Sequence, residues 1–125
     1  EKRMSIWQEY HNALENQEPS GVIRRPVIPK HCQHNAHIYY LLMANTESKH
    51  SLQTHLKGEG IQTVSHYVPL HNSPAGKELA RFTGNMQVTL SIAERILRLP
   101  LYPDLLKANQ EKIIEKICEW TKTQT

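Results

Sequence analysis

Cysteine is scarce in this sequence, which has only Cys32 and Cys118 among its 125 residues. The two lie far apart and form no Cys-x-x-Cys pair, so neither a disulfide framework nor a zinc ribbon is indicated. No apolar run approaches the roughly 20 residues that a membrane helix needs, and the opening Glu1-Lys2-Arg3-Met4 is unlike a signal peptide. These absences predict a cytoplasmic chain with reduced thiols and no membrane partner.

Several catalytic motifs are also missing. The sequence contains no Gly-rich phosphate loop, no Gly-x-Ser-x-Gly elbow, no His-Glu-x-x-His helix and no acidic pair in an apolar setting. Its 15 Lys and Arg residues are scattered and give a net charge of only +3, so a nucleic-acid partner is not indicated. The chain therefore looks incomplete as a catalyst.

The apolar spacing predicts the terminal helices. Met4, Trp7, Tyr10 and Leu14 recur at helical intervals, and residues 113–118 do the same near the other end. No capping residue precedes the first helix, so we expect it to begin upstream in a longer protein, with its Trp7 stripe facing the part that is missing. With 38% hydrophobic and 22% charged residues, residues 1–125 read as one globular domain.

The middle of the chain predicts a small sheet. Val22-Ile23 reads as a short strand, and the continuous apolar run of residues 36–43 as the sheet's buried centre. A helix capped by Thr46 and running to Lys57 precedes a second strand over 61–67, which together suggest a βαβ-like unit.

After a loop broken by prolines, a further helix is predicted. Asn85 is its expected cap, and Met86, Leu90, Ala93 and Leu97 are its apolar face up to about Arg98. The fold class is α/β (α+β), with helices covering a sheet of three or four strands.

Two histidine clusters are candidates for chemistry. The first, His31, His34 and His37 with Cys32, precedes the central strand. Zinc ligation is one interpretation, although Pro29 and the strand deny these side chains a common helix face. Hydrogen bonding to backbone groups at the strand entrance is the simpler interpretation, and ligand contact is a third.

The second cluster follows the predicted second strand. His66, Tyr67 and His71 stand among prolines that stiffen the backbone, a composition suited to recognition of a phosphate or a sugar. The alternative is a tight corner in which these side chains satisfy buried carbonyl groups.

The order and spacing of several segments resemble the C-terminal part of the DegT/DnrJ/EryC1/StrS family of sugar aminotransferases. The likeness covers nearly the whole chain, from Trp7 and Tyr10 onwards. The segments that carry it are Gln33-His34-Asn35-Ala36-His37-Ile38-Tyr39-Tyr40, Gly60-Ile61, His66-Tyr67-Val68-Pro69-Leu70-His71-Asn72-Ser73-Pro74-Ala75-Gly76, Ala93-Glu94-Arg95 and Leu97-Arg98-Leu99-Pro100-Leu101.

The resemblance implies the small domain of a fold-type I aminotransferase. In such a transferase, pyridoxal phosphate on a lysine of the large domain carries an amino group from glutamate to the ketone of a nucleotide sugar. Segments 32–37 and 73–76 favour the C4 ketone of dTDP-4-oxo-6-deoxy-D-glucose, in lipopolysaccharide or related surface polysaccharide biosynthesis. A homodimer is implied for the full-length enzyme. None of Lys30, Lys49, Lys57 and Lys77 stands in a matching motif, so the chain alone is expected to be inactive and to bind no cofactor.

The family pattern places five residues of this chain nearest the sugar nucleotide. Tyr67 and His66 are expected to bond the sugar or its diphosphate, and His71 to fix the loop or reach phosphate. His34 and His37 are expected to orient the loop or line the cleft. No catalytic or metal-binding residue is predicted. The alternatives are a stand-alone module that binds a nucleotide sugar or phosphate without catalysis, and a metal-binding or interaction domain built on the histidines.

Overall fold

A three-stranded antiparallel sheet lies at the centre of the computed structural model, which describes residues 1–124. The strands are β1 (Ile23–Arg24), β2 (Tyr39–Met43) and β3 (Ile96–Leu99), in the order β1-β2-β3. Ile23 lies opposite Met43, and Tyr39 opposite Leu99. The apolar run that predicted the sheet's centre is thus confirmed as the central strand, although the strand begins later than expected.

Within residues 1–124, five α-helices accompany the sheet, one 3-10 helix precedes β1, and a second precedes α3. None of the helices within residues 1–124 is long and apolar enough to cross a membrane. The predicted α/β (α+β) class, with helices over a small sheet, is confirmed. The α-helices are α1 (Lys2–Ala13), α2 (Thr46–Gly58), α3 (Pro74–Leu79), α4 (Gln87–Arg95) and α5 (Lys107–Lys122), and the 3-10 helices are Glu15–Ser20 and Leu70–Asn72.

The terminal helices pack together on the core. Most of the predicted stripe is buried, with Trp7 4% and Tyr10 0% exposed, whereas Met4 at its start is 38% exposed. Ile113 and Ile117 of α5 are also buried. The side chain of Gln110 donates a hydrogen bond of 2.7 Å to the Ile6 carbonyl oxygen and joins the two helices. The expectation that the Trp7 stripe faces a missing part of the protein is therefore wrong, because the stripe lies in this domain's own core.

The predicted strand over 61–67 is wrong, and so is the βαβ-like unit. Within this segment only Val64 pairs, through an isolated antiparallel bridge to Arg98. The edge of β2 that the segment would need is occupied by β3, which the spacing of Ala93 and Leu97 had assigned to a helix. All strand pairings among residues 1–124 are antiparallel, so these residues form no βαβ crossover.

Helix boundaries differ from expectation by a few residues. Asn45, not Thr46, caps α2, since its side-chain oxygen accepts a hydrogen bond of 2.7 Å from the Ser48 amide. Helix α4 ends at Arg95 rather than Arg98, because Ile96 turns to extended backbone. Helix α3 lies where a loop was predicted, and the hydroxyl group of Ser73 caps it.

Candidate functional site

The five predicted site residues fall in two places. His34 and His37 precede β2, whereas His66, Tyr67 and His71 belong to residues 64–88, which we call the arm. Ring contacts within residues 1–124 join His34 to Trp7 and His66 to Tyr67, but none joins the two groups. The two histidine motifs therefore do not form one cluster.

The turn before β2 contains a left-handed residue. Ala36 has φ 53° and is 2% exposed, a backbone conformation that is unfavourable for residues other than glycine. Its amide donates a hydrogen bond of 3.2 Å to Nδ1 of His34, and the His37 amide donates one of 3.1 Å to the side chain of Asn35. His34 thus makes the backbone contact that the simpler interpretation predicted.

His34 also belongs to an aromatic cluster on α1. Its ring centroid lies 4.3 Å from that of Trp7, and on Trp7 the ring of His11 stacks at 4.6 Å. Tyr39 meets Trp7 edge-on at 5.3 Å. The imidazole of His34 is therefore held by packing, while His37 is exposed.

Arg25 anchors the chain beside this cluster. Its guanidinium lies 3.3 Å from Glu15 and 3.0 Å from Glu18, and it donates a hydrogen bond to the carbonyl oxygen of His11. Burial, followed by the charge of Arg25, lowers the pKa of His11. Burial would raise the pKa of Glu18, but the hydrogen bonds and charge of Arg25 outweigh it, so that pKa is lowered. Sequence reasoning missed this group, because no motif links its members, which come from α1, the first 3-10 helix and the residue after β1.

The arm begins where Val64 pairs with Arg98 of β3. The backbone amide of Arg98 donates a hydrogen bond of 2.8 Å to the carbonyl oxygen of Val64, and the Val64 amide donates one of 3.3 Å to the carbonyl oxygen of Arg98. Just beyond this bridge, His66 and Tyr67 meet edge-on at 5.4 Å between ring centroids. Tyr67 is 80% exposed, and His66 is exposed as well. Their polar atoms are thus open to a ligand.

A shallow groove separates these two residues from α4. Its walls are mainly apolar, with polar groups from His66, Tyr67 and Thr89 at the surface. Such a mixture suits a ligand that has both an apolar face and hydroxyl groups, as a sugar does. The residues that line it include His66, Tyr67, Pro69, Val88, Thr89 and Ile92.

His71 lies on the 3-10 helix further along the arm. Its ring centroid is 5.2 Å from that of Phe82, and its Nε2 atom is buried without a hydrogen-bond partner among the described residues. The hydroxyl group of Ser73 donates a hydrogen bond of 2.8 Å to the Leu70 carbonyl oxygen and accepts one of 3.0 Å from Gly76. A Cβ atom at Gly76 would come within 1.6 Å of that carbonyl oxygen, so only glycine fits here.

The described residues offer neither a metal site nor a lysine in the groove. Within residues 1–124, no three His, Cys, Asp or Glu side chains come together as a metal site requires. Lys30, Lys57 and Lys77 are exposed, and Lys49 is buried on α2, where burial lowers its pKa. None of the four lines the groove beside Tyr67. No lysine of the described chain lines this groove, so the groove itself offers no group to bind a cofactor covalently.

Comparison with known proteins identifies the family. Residues 1–118 match the DegT/DnrJ/EryC1/StrS aminotransferase family, and the chain belongs to it. The dTDP-3-amino-3,4,6-trideoxy-alpha-D-glucose transaminase of Streptomyces venezuelae is 31% identical over 122 residues, which are 95% of this chain and 32% of that protein. The chain thus spans about a third of the length of the relatives it matches.

Solved structures of aminotransferases share the fold. A DegT DnrJ EryC1 StrS aminotransferase from Brucella abortus has a TM-score of 0.78 at 31% identity, over 96% of this chain and 30% of that one. The S. venezuelae protein DesV, solved in complex with a ketimine intermediate, has a TM-score of 0.81 at 29% identity, over 97% of this chain and 31% of that one. The antiparallel sheet and its helices are therefore an aminotransferase domain.

Proposed function

We propose that this chain is the small domain of a pyridoxal-phosphate-dependent aminotransferase that acts on a nucleotide sugar. The observation that carries the proposal is the groove between α4 and the exposed pair His66 and Tyr67, in a chain that belongs to a sugar aminotransferase family. Because the chain spans about a third of its relatives, the rest of the enzyme lies outside it.

The cofactor belongs to that other part. Relatives by fold include forms with bound pyridoxamine and pyridoxal phosphate, and the lysines tested above do not line the groove. Pyridoxal phosphate, when bound, acts as the electron sink for amino transfer. The present chain supplies a wall of the substrate cleft and is inactive by itself.

Binding of the sugar nucleotide is the role of the groove residues. The Tyr67 hydroxyl both donates and accepts hydrogen bonds, and the imidazole of His66 offers a donor or an acceptor 5.4 Å away between ring centroids. The apolar side chains of α4 would cover one face of the sugar and exclude water from it. His71 supports the loop from its contact with Phe82, while His34 and His37 shape the turn that leads into β2.

The acceptor is proposed to be dTDP-4-oxo-6-deoxy-D-glucose, aminated at C4, with glutamate as donor. The segments 32–37 and 73–76 support this position, whereas two relatives are named as transaminases of a 3-amino sugar. The full-length enzyme is given the 3-oxo or the 4-oxo sugar, and NMR of each product shows whether the amino group is attached at C3 or at C4. We further propose that the enzyme is a cytoplasmic homodimer that supplies surface polysaccharide biosynthesis.

The experiment that tests the proposal uses the full-length protein that contains this chain. We expect it to show cofactor absorbance and glutamate-dependent amination. The Tyr67→Phe and His66→Gln variants should each raise KM for the nucleotide sugar about tenfold, the loss of one hydrogen bond to a polar ligand. His50→Gln, an exposed histidine on α2, is the matched control and should leave KM unchanged. Absence of cofactor binding by the full-length protein overturns the proposal.

A second candidate function is a binding module without catalysis. The domain's own buried core, built from residues of α1, β2 and α5, favours it. Nucleotide-sugar binding by a protein that binds no pyridoxal phosphate would support this alternative.

A further inference from the structure

Helix α4 forms one wall of the groove, yet apolar packing does little to hold it. No residue of Gln87–Arg95 is buried, whereas α1, α2 and α5 each bury several. A helix of nine residues is also too short to be stable alone in water. Other contacts must therefore hold α4 in the place from which Val88, Thr89 and Ile92 line the groove.

Arg95, at the end of α4, makes such a contact. Its Nη1 atom donates a hydrogen bond of 3.0 Å to the Met43 carbonyl oxygen, and its Nε atom donates one of 3.2 Å to the Ser91 carbonyl oxygen. One guanidinium group thus joins the last residue of β2 to the last turn of the helix. Because the guanidinium is planar and its donors point in fixed directions, the two bonds together orient α4 on the sheet.

The register of the sheet explains why a long donor side chain stands at this position. Leu42 pairs with Ile96, so the next pair along the two chains would be Met43 and Arg95. The backbone of Arg95 is still helical, and β3 begins only at Ile96. The side chain of Arg95 therefore binds the Met43 carbonyl oxygen and continues the contact with β2 into the helix.

The neighbouring Glu94 adds an electrostatic contact to α2. Lys49 of α2 is only 6% exposed. Burial lowers the pKa of its amine, and the negative charge of Glu94 acts in the opposite direction. An opposite charge nearby stabilises a buried cation. Two adjacent charged residues thus hold the same end of α4, one on β2 and the other on α2.

We propose that Arg95 is a positioning residue of the substrate groove, which it controls by fixing α4 on β2. This inference rests on the proposed function, because it assigns a role in that same groove. Arg95 is not among the described residues that line the groove, so it acts through the helix and does not touch the sugar. Release of α4 would change its separation from His66 and Tyr67 on the opposite rim.

The first test measures the kinetics of the full-length protein that contains this chain. Arg95→Met keeps the length of the side chain and removes its donors. KM for the nucleotide sugar should rise about tenfold while kcat stays close to that of the parent, because the groove binds parts of the substrate that do not react. Arg95→Lys retains one charged donor and should recover part of the loss. Arg24→Met, at an exposed arginine on β1, is the matched control and should leave KM unchanged.

An unchanged KM in Arg95→Met overturns the proposal, and so does the absence of any recovery in Arg95→Lys. A fall of kcat equal to that of kcat/KM also overturns it, since Arg95 would then act on the reacting atoms.

The second test follows α4 without relying on activity. In full-length Arg95→Met, hydrogen exchange of the α4 amides should be about tenfold faster than in the parent, because local opening of the helix becomes easier. Exchange of the α5 amides should stay as in the parent. Equal acceleration in α4 and α5 would show that Arg95 supports the whole core and would overturn the positioning role, as would unchanged exchange in α4.

The two hypotheses fail in different ways. If the full-length protein binds no pyridoxal phosphate but Arg95→Met speeds exchange in α4 alone, the proposed function is lost and Arg95 remains the residue that positions α4. If the protein aminates a nucleotide sugar and Arg95→Met has the KM and the α4 exchange of the parent, the function stands and the role of Arg95 is lost.

Discussion

The hydroxyl group of Tyr10 donates a hydrogen bond of 2.8 Å to the carbonyl oxygen of Pro100. It ties α1 to the segment that follows β3, across most of the sequence. Tyr10 is fully buried, and burial raises the pKa of its hydroxyl group, so the group is a protonated donor at neutral pH. The first helix is therefore an integral part of this domain.

Removal of that hydroxyl group should destabilise the whole domain. In Tyr10→Phe, the Pro100 carbonyl loses its buried partner, and we expect the free energy of unfolding to fall by about 1–2 kcal/mol. Urea denaturation measures this. Tyr102→Phe is the control, because Tyr102 is 48% exposed. Equal stability of the two variants would show that the Tyr10 bond contributes nothing.

Arg25→Lys should also lower stability, by about 1–3 kcal/mol, since a lysine cannot reach Glu15, Glu18 and the His11 carbonyl together. The adjacent, exposed Arg24 provides a control in Arg24→Lys, which we expect to unfold like the parent. Thermal unfolding of both variants at pH 7 is the measurement. A loss of similar size in Arg24→Lys would contradict the role given to Arg25.

Gly76→Ala should impair the arm while sparing the core. The new methyl group would displace the Leu70 carbonyl and the loop around His71, so KM of the full-length enzyme should rise several-fold. The thermal midpoint should change little, because the arm contributes no buried residue. Gly58→Ala, which has open space for a methyl group at the end of α2, should leave KM unchanged. A large drop in the thermal midpoint of Gly76→Ala would show that the arm supports the core.

Stability should fall as pH drops from 7 to 5, in part because of His11. Its folded pKa is lowered below the ordinary value of 6.5, so the unfolded chain binds the proton first. The stability that neutral His11 provides is present above pH 6.5 and is lost as pH falls below it. His11→Phe, which keeps an aromatic ring on Trp7, should reduce the fall of the thermal midpoint between pH 7 and pH 5. His50→Gln should leave that fall unchanged. Parallel curves for His11→Phe and the parent would exclude His11 as the source.

The elements that sequence reasoning predicted well have a strong local signal. Helix α1 repeats large apolar residues at helical spacing, and β2 is a continuous apolar run. Strand β3 has no such signal, because Leu97 continues the helical spacing of α4 and only Pro100 marks the end of the strand. Its identity depends on pairing with β2, which is a tertiary contact.

The candidate site was predictable only within each motif. His66 and Tyr67 are sequence neighbours, and the structure places them together at one rim of a groove. The opposite wall comes from α4, and His34 rests on Trp7 of α1, contacts that no local pattern encodes. Whether the five residues bind a nucleotide sugar stays a prediction.

The bridge between Val64 and Arg98 limits the effect that changes in the arm have on the sheet. Because the arm starts at the Val64 bridge and leads into α4, which returns the chain to β3, it behaves as an insertion between α2 and α4. Changes of its length or composition leave the register of β2 and β3 intact and add little loop-closure entropy. The arm can therefore vary in length and composition while the scaffold of β2 and β3 stays unaltered.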